Sequence, residues 1–189
     1  MMKTLMAGLA LASVATASQA VTLNGTLGAA VGTTTTSILS VGQTLTLGGG
    51  TVTSTTGDLA IIPTFTTSIT GISSPFTLSN GQTFTFTVGN FGTFSGTTQQ
   101  TALNAASTAT NRALAFYALG TFTPGSGLVG FDPGAASVTG SLTQTGGDGS
   151  SISFSFTLAS PPAPPIPTPA TLAVFGLGLA GLGLARRKA

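Results

Sequence analysis

Five side chains supply the titratable chemistry in the middle of the chain: Asp58, Asp132, Asp148, Arg112 and Tyr117. The 189 residues include no His, no Cys and no Glu, so the usual general bases, thiolate nucleophiles and nitrogen or sulfur metal ligands are missing. A serine nucleophile would also find no His or Lys base in this region. We therefore expect a protein that is not an enzyme and that needs no cofactor or metal.

Three of the four charged residues of the middle region have a structural explanation. Asp148, in a Gly-Gly-Asp-Gly stretch, fits a turn better than a Ca²⁺ site, which gathers several oxygen ligands. Asp132 precedes Pro133 and also fits a turn. Arg112 could bind a ligand carboxylate, but we expect it to pair with one of the three aspartates.

Aromatic side chains are the other group with a functional alternative. Six phenylalanines at alternating positions are expected to form a core rather than a carbohydrate-binding platform: Phe84, Phe86, Phe116, Phe122, Phe154 and Phe156.

Charge is rare in this sequence and lies mostly at its ends. Only 4% of the residues are charged, and between residues 21 and 185 one Arg against three Asp leaves a net charge of −2. A nucleic-acid binder clusters Lys and Arg on the surface that meets phosphates. The composition therefore excludes nucleic acid as a partner.

The N-terminus has the order of segments that is typical of a secretory signal peptide. Lys3 supplies a positive charge, residues 4–15 are largely apolar, and small residues follow. We predict that residues 1–20 are the signal peptide and that cleavage follows Ala20, with Ala17 as the other candidate. The alternative is a buried N-terminal helix. Export requires the Sec machinery and a signal peptidase, and a chain without Cys forms no disulfide in the compartment it enters.

The C-terminus has three successive parts. Residues 161–169 are Pro-rich and favour a stiff extended linker. Residues 170–185 carry no charge and as a helix would be about 24 Å long, slightly short for a transmembrane segment. Residues 186–189 include Arg186, Arg187 and Lys188, which would hold the C-terminus in the cytoplasm.

This tail resembles the PEP-CTERM sorting signal of Gram-negative bacteria. The resemblance rests on Pro167, Thr168, Pro169 and Ala170, followed by the hydrophobic segment and the terminal basic residues. At Thr168 the family usually has Glu. The resemblance implies transient anchoring in the inner membrane, and then cleavage near the motif by an exosortase, a membrane-embedded cysteine transpeptidase that passes its substrate to the cell surface.

The body, residues 21–160, is rich in Thr, Ser and Gly. That bias alone would fit a disordered, O-glycosylated stalk. Against it stand segments in which apolar and hydroxyl side chains alternate, as they do along half-buried strands. The alternating segments are residues 43–47, 82–88, 137–144 and 151–158. Breaks between strands are predicted at residues 47–50, 79–81, 123–127, 132–134 and 145–149.

We therefore predict an all-β fold, an antiparallel β-sandwich-like body or comparable antiparallel fold of seven to ten strands, flanked by an N-terminal signal helix and a C-terminal transmembrane helix. Residues 137–144 and 150–158 are predicted to form a hairpin. A further strand is predicted over residues 112–122, and residues 99–111 are expected to form a loop or a short helix.

Two functions from different classes fit these features. The first is a non-catalytic exported surface or extracellular-matrix protein, which an exosortase-like membrane protease sorts and which acts with exopolysaccharide in a biofilm. The second is a carbohydrate-binding β-sandwich module that an uncleaved tail keeps at the membrane.

Overall fold

The computed structural model describes residues 21–163, which form ten strands and one short 3-10 helix, Gly57–Ile61. The strands are β1 Gly25–Thr33, β2 Thr44–Leu45, β3 Leu47–Thr55, β4 Ser68–Thr70, β5 Phe76–Thr77, β6 Thr83–Val88, β7 Gly92–Leu103, β8 Asn111–Pro124, β9 Gly134–Thr145 and β10 Ile152–Ser160. Within the described part of the chain, no helix is long and apolar enough to cross a membrane.

Eight of the strands form one closed antiparallel barrel in the order β1-β10-β9-β8-β7-β6-β4-β3, and β3 pairs with β1 to complete the ring. The prediction of an all-β antiparallel body is confirmed, but the strands close into a barrel and do not form a sandwich. Closure depends on β1, which pairs with β10 on one edge and with β3 on the other. Alternation within a strand indicates its buried face and gives no information about such distant partners.

Apolar side chains fill the interior of this barrel, as expected for a ring of about eight strands. The six phenylalanines predicted to be core are all buried, and Phe76 and Phe94 join them. Phe86 and Phe156 lie closest, with ring centroids 4.5 Å apart. Threonines cover much of the outside, where cross-strand pairs such as Thr87 and Thr93 place their hydroxyl oxygens 3.1 Å apart.

The long strands follow the alternating pattern closely. The predicted hairpin is present as β9 and β10, joined through a turn at residues 146–151. The predicted strand over residues 112–122 is β8, and the segment 82–88 contains β6. The ordered ring argues against the stalk interpretation of the described residues, because alternating strands bury a continuous core there.

One local prediction was wrong, and two others were right only in part. Residues 47–50 were predicted to break the chain, yet they lie in β3, where a Cβ on Gly50 would come within 2.5 Å of the Ala30 carbonyl oxygen on β1. The segment 43–47 is divided between β2 and β3. Residues 99–103 continue β7, and the connection to β8 spans residues 104–110, without a helix. At residues 47–50, the glycines were interpreted as turn residues, whereas in β3 they permit close contact between strands.

Candidate functional site

The two described ends of the chain meet at one mouth of the barrel. Gly25, the first residue of β1, pairs with Ser160, the last residue of β10. The buried hydroxyl of Ser160 donates to the carbonyl oxygens of Leu23 at 3.0 Å and of Ala135 at 3.3 Å. A single inward-facing serine therefore links the segment before β1, the start of β9 and the end of β10. We call this end the terminal mouth.

A second contact at the terminal mouth involves the first described residue. The Val21 nitrogen donates to Asp132 Oδ2 at 3.2 Å, and the Asp132 nitrogen donates back to the Val21 carbonyl oxygen at 3.1 Å. Asp132 lies in the connection between β8 and β9, so this reciprocal pair ties the chain start to that connection. Three residues later, the Asn24 nitrogen donates to Asp58 Oδ2 at 2.8 Å.

After β10 the chain crosses the wall of the barrel beside β8 and β9. The Ala163 nitrogen donates to Ser137 Oγ at 2.8 Å, and the Tyr117 hydroxyl donates to the Ala163 carbonyl oxygen at 2.8 Å. Ser137 and Tyr117 are both buried. The beginning of the Pro-rich linker is thus held against the body by two hydrogen bonds, and Tyr117 has a structural role.

The opposite mouth, which we call the distal mouth, is closed by the loop of residues 34–43. Buried Gln144 accepts a hydrogen bond from the Leu39 nitrogen at 2.7 Å and donates to the carbonyl oxygens of Thr36 and Ser37 at 3.2 Å. Its amide also donates to the Ser150 carbonyl oxygen at 2.9 Å. Gln144 therefore fastens the loop and the β9–β10 turn to the inner face of the barrel.

Arg112 lies directly across from Gln144 in the register of β8 and β9. Its Nη1 donates to the Leu39 carbonyl oxygen at 3.1 Å, while its Nε is buried without a hydrogen-bond partner. The expected pairing with an aspartate is not the contact found among the described residues. The arginine binds a backbone carbonyl instead, because its inward position on β8 points it at the closing loop.

The three aspartates lie on separate connections and do not converge. Asp58 and Asp132 bind backbone nitrogens at the terminal mouth, and Asp148 lies in the turn between β9 and β10. In residues 21–163, no three His, Cys, Asp or Glu side chains form a group that could hold a metal ion.

Two open clefts of about 270 Å³ each lie at opposite mouths of the barrel. The distal cleft is lined mainly by amide and hydroxyl residues, among them Asn104, Ser107, Asn111, Thr143 and Thr145. The terminal cleft is lined by residues that include Thr22, Leu23, Asn24, Gly134, Ser160 and Pro161. Neither of these two linings includes an aspartate.

One exposed aromatic residue was missed by the sequence interpretation. Phe65 is 73% exposed and has a backbone φ of 62°, in the left-handed region that a bulky residue rarely adopts. Its nitrogen donates to the Val52 carbonyl oxygen at 2.7 Å, which holds the backbone in place. Thr64 and Thr66 flank it, and this local alternation imitates the pattern of a buried strand residue.

The residues predicted for sorting and processing fall outside the described part of the chain, and their roles stay predictions. They are Ala20, the motif residues Pro167, Thr168, Pro169 and Ala170, and the basic residues Arg186, Arg187 and Lys188.

Searches of protein-family models, of curated proteins and of solved structures find no match to this chain.

Proposed function

We propose that this chain is a non-catalytic exported protein of the cell surface or extracellular matrix, sorted by an exosortase-type transpeptidase through its C-terminal tail. In this proposal residues 1–20 are removed on export, residues 170–185 span the inner membrane for a time, and a cut near Pro167, Thr168 and Pro169 releases the body. Its partner outside the cell is an exopolysaccharide.

The observation that carries the proposal is the meeting of both described chain ends at the terminal mouth. Leu23 and Ser160 are joined there by a hydrogen bond, and the core and all ten described strands lie between these two residues. Both proposed cuts therefore fall outside the folded unit, and neither would remove a strand or a core side chain. Such a body can be tethered by one end and released intact.

The arrangement of charged groups supports a body without catalysis. Asp58 and Asp132 each accept a backbone hydrogen bond, and Arg112 donates one to a backbone carbonyl. General acid–base catalysis requires a titratable group within hydrogen-bond reach of the reacting atom of a substrate. The two aspartates of the terminal mouth are instead engaged with the backbone nitrogens of Val21 and Asn24, and Arg112 binds the loop at the distal mouth.

The test follows the protein in its native host after two sets of substitutions. Replacing Arg186, Arg187 and Lys188 with Ser should leave the body exported but reduce its retention and cutting, because the basic stop would be gone. Replacing Pro167 and Pro169 with Ala should leave uncut protein in the inner membrane. Replacing Pro161 and Pro162 with Ala is the matched control in the same linker. Equal surface delivery by all variants would contradict sorting through the tail.

A second function, carbohydrate binding by a membrane-tethered body, is favoured by one observation, the exposed ring of Phe65. Holding a bulky residue at φ 62° costs about 1–2 kcal/mol, and an aromatic face suits stacking on a sugar ring. Phe65→Asn should abolish polysaccharide binding without loss of stability, because Asn tolerates this conformation. Ile61→Asn, at a residue that is 64% exposed, is the control. Unchanged binding by Phe65→Asn would contradict this function.

A further inference from the structure

The hydrogen bond between Val21 and Asp132 changes its chemistry if the chain begins at Val21. In the precursor, the Val21 nitrogen is an uncharged amide that donates to Asp132 Oδ2 at 3.2 Å. Cleavage after Ala20 would turn the same nitrogen into an ammonium group with three donors and a positive charge. The distance lies within the range for an ion pair, and a hydrogen bond between charged partners is stronger than one between neutral ones.

We propose that signal-peptide cleavage after Ala20 creates an ion pair between the new α-ammonium group of Val21 and the Asp132 carboxylate, which locks the N-terminus onto the terminal mouth. The inference rests on the proposed export. It adds a function for Asp132, which serves as the acceptor for an end of the chain that only processing produces.

The surroundings already hold both partners in place. The Asp132 nitrogen donates to the Val21 carbonyl oxygen at 3.1 Å, so the reciprocal bond fixes the backbone on both sides of the contact. Asp58, the other carboxylate at this mouth, accepts from Asn24 and not from Val21. Arg112 binds the loop at the distal mouth. Asp132 is therefore the described carboxylate that Val21 contacts.

The contact also separates the two candidate cleavage sites. A cut after Ala17 would leave residues 18–20 in place, and the Val21 nitrogen would remain an uncharged amide. A cut after Ala20 gives the charged pair. The ion pair therefore requires cleavage after Ala20.

The test compares proteins of residues 21–163, a unit that contains the complete barrel and core. One begins with a free Val21 amine and the other is acetylated there. Residues 21–163 contain no Lys, so an amine-selective reagent acetylates the α-amino group alone. Each is prepared with Asp132 and with Asp132→Asn, and the four unfolding constants are measured in urea at pH 6.5. Removing an exposed ion pair should raise the unfolding constant about two- to fivefold.

In the free-amine protein, Asp132→Asn should raise the unfolding constant about two- to fivefold more than it does in the acetylated protein. The α-amino pKa, followed by NMR, should be higher with Asp132 than with Asn at that position. Because the folded-state pKa is raised, the coupling should be complete below the unfolded value of about 7.7–8.0 and should disappear as the pH rises above the folded value. Equal effects in both proteins, or equal amine pKa values, would overturn the ion pair.

The second arm of the test is N-terminal sequencing of the exported protein from a host that expresses the full-length chain. A terminus at Val21 supports the lock, whereas a terminus at Ser18 overturns it. Protein that stays in the cytoplasm and retains residues 1–20 would contradict the proposed export itself, independently of the unfolding measurements. The failure of the ion pair and the failure of the proposed function can therefore be told apart.

Discussion

Ser160 donates its hydroxyl to the Leu23 carbonyl at 3.0 Å and so joins the last strand of the barrel to the segment before the first strand. The donor is 4% exposed and the carbonyl belongs to a residue that is 3% exposed. Because water has little access to either partner, loss of this hydrogen bond should cost more free energy of unfolding than loss of an exposed one. It closes the terminal mouth between the two described ends of the chain.

Substitution of Ser160 should weaken this closure. Ser160→Ala removes the hydroxyl donor that the carbonyls of Leu23 and Ala135 share, which should lower the free energy of unfolding by about 1–3 kcal/mol. Urea denaturation of residues 21–163 measures the change. Ser155→Ala, at an exposed position of the same strand, should change it by less than about 0.5 kcal/mol. Similar losses for both variants would argue against a closing role for Ser160.

Gln144 should control the order of the loop at the distal mouth. Gln144→Leu keeps a similar size but removes every hydrogen bond that the side chain makes to residues 36–39, so the free energy of unfolding should fall by about 1–3 kcal/mol. Hydrogen exchange of the Leu39 amide should become faster, because its acceptor is Gln144 Oε1. Thr143→Val, at the adjacent exposed position, is the control. Unchanged protection of Leu39 would contradict the anchoring.

Gly140 allows the Phe116 ring to cross the inner face of the barrel. The two residues are paired across β8 and β9, and a Cβ at position 140 would overlap the ring. Gly140→Ala should therefore lower the free energy of unfolding by about 1–3 kcal/mol through overpacking. Gly134→Ala on the same strand meets only the Asp132 carbonyl oxygen at 3.9 Å, and it should be nearly neutral. A neutral Gly140→Ala would mean that the ring has room to move.

Stability should depend little on pH between about 5 and 7. Histidine and cysteine, the side chains that ordinarily titrate near this range, are absent from the sequence. The melting temperature of residues 21–163 should therefore stay almost constant across that window. A decline above about pH 8 is expected only where the chain begins with a free Val21 amine, as the amine loses its charge. A steep step between pH 5 and 7 would reveal a strongly perturbed carboxylate and a functional site near it.

The sequence predicted the long strands well because their alternation is regular. In β10, for example, Ile152, Phe154, Phe156 and Leu158 face the core and Ser153 and Ser155 face outward. No strand was predicted over β1, and a break was predicted at the start of β3, where glycines serve close strand contacts and resemble turn residues. Barrel closure was missed because it depends on pairs such as Gly25 with Ser160, which are distant in sequence and carry no local signal.

The contacts at the two mouths of the barrel could not be predicted from the sequence either. Arg112 was expected to pair with an aspartate because the sequence shows which residues are charged and not which backbone groups lie nearby. Its partner is the backbone carbonyl of Leu39. Asp132 could be recognised as a residue of a connection, but its contact with Val21 depends on how the chain returns to the terminal mouth. Such backbone partners are set by the tertiary fold and not by residue type.

Intact mass of the protein from the inner-membrane and surface fractions of its native host tests the central proposal most directly. The surface form should begin at Val21, end near residues 167–169 and lack residues 172–189, while a membrane-bound precursor should retain that tail. Surface or released protein that still carries Arg186, Arg187 and Lys188 would contradict sorting by cleavage of the tail.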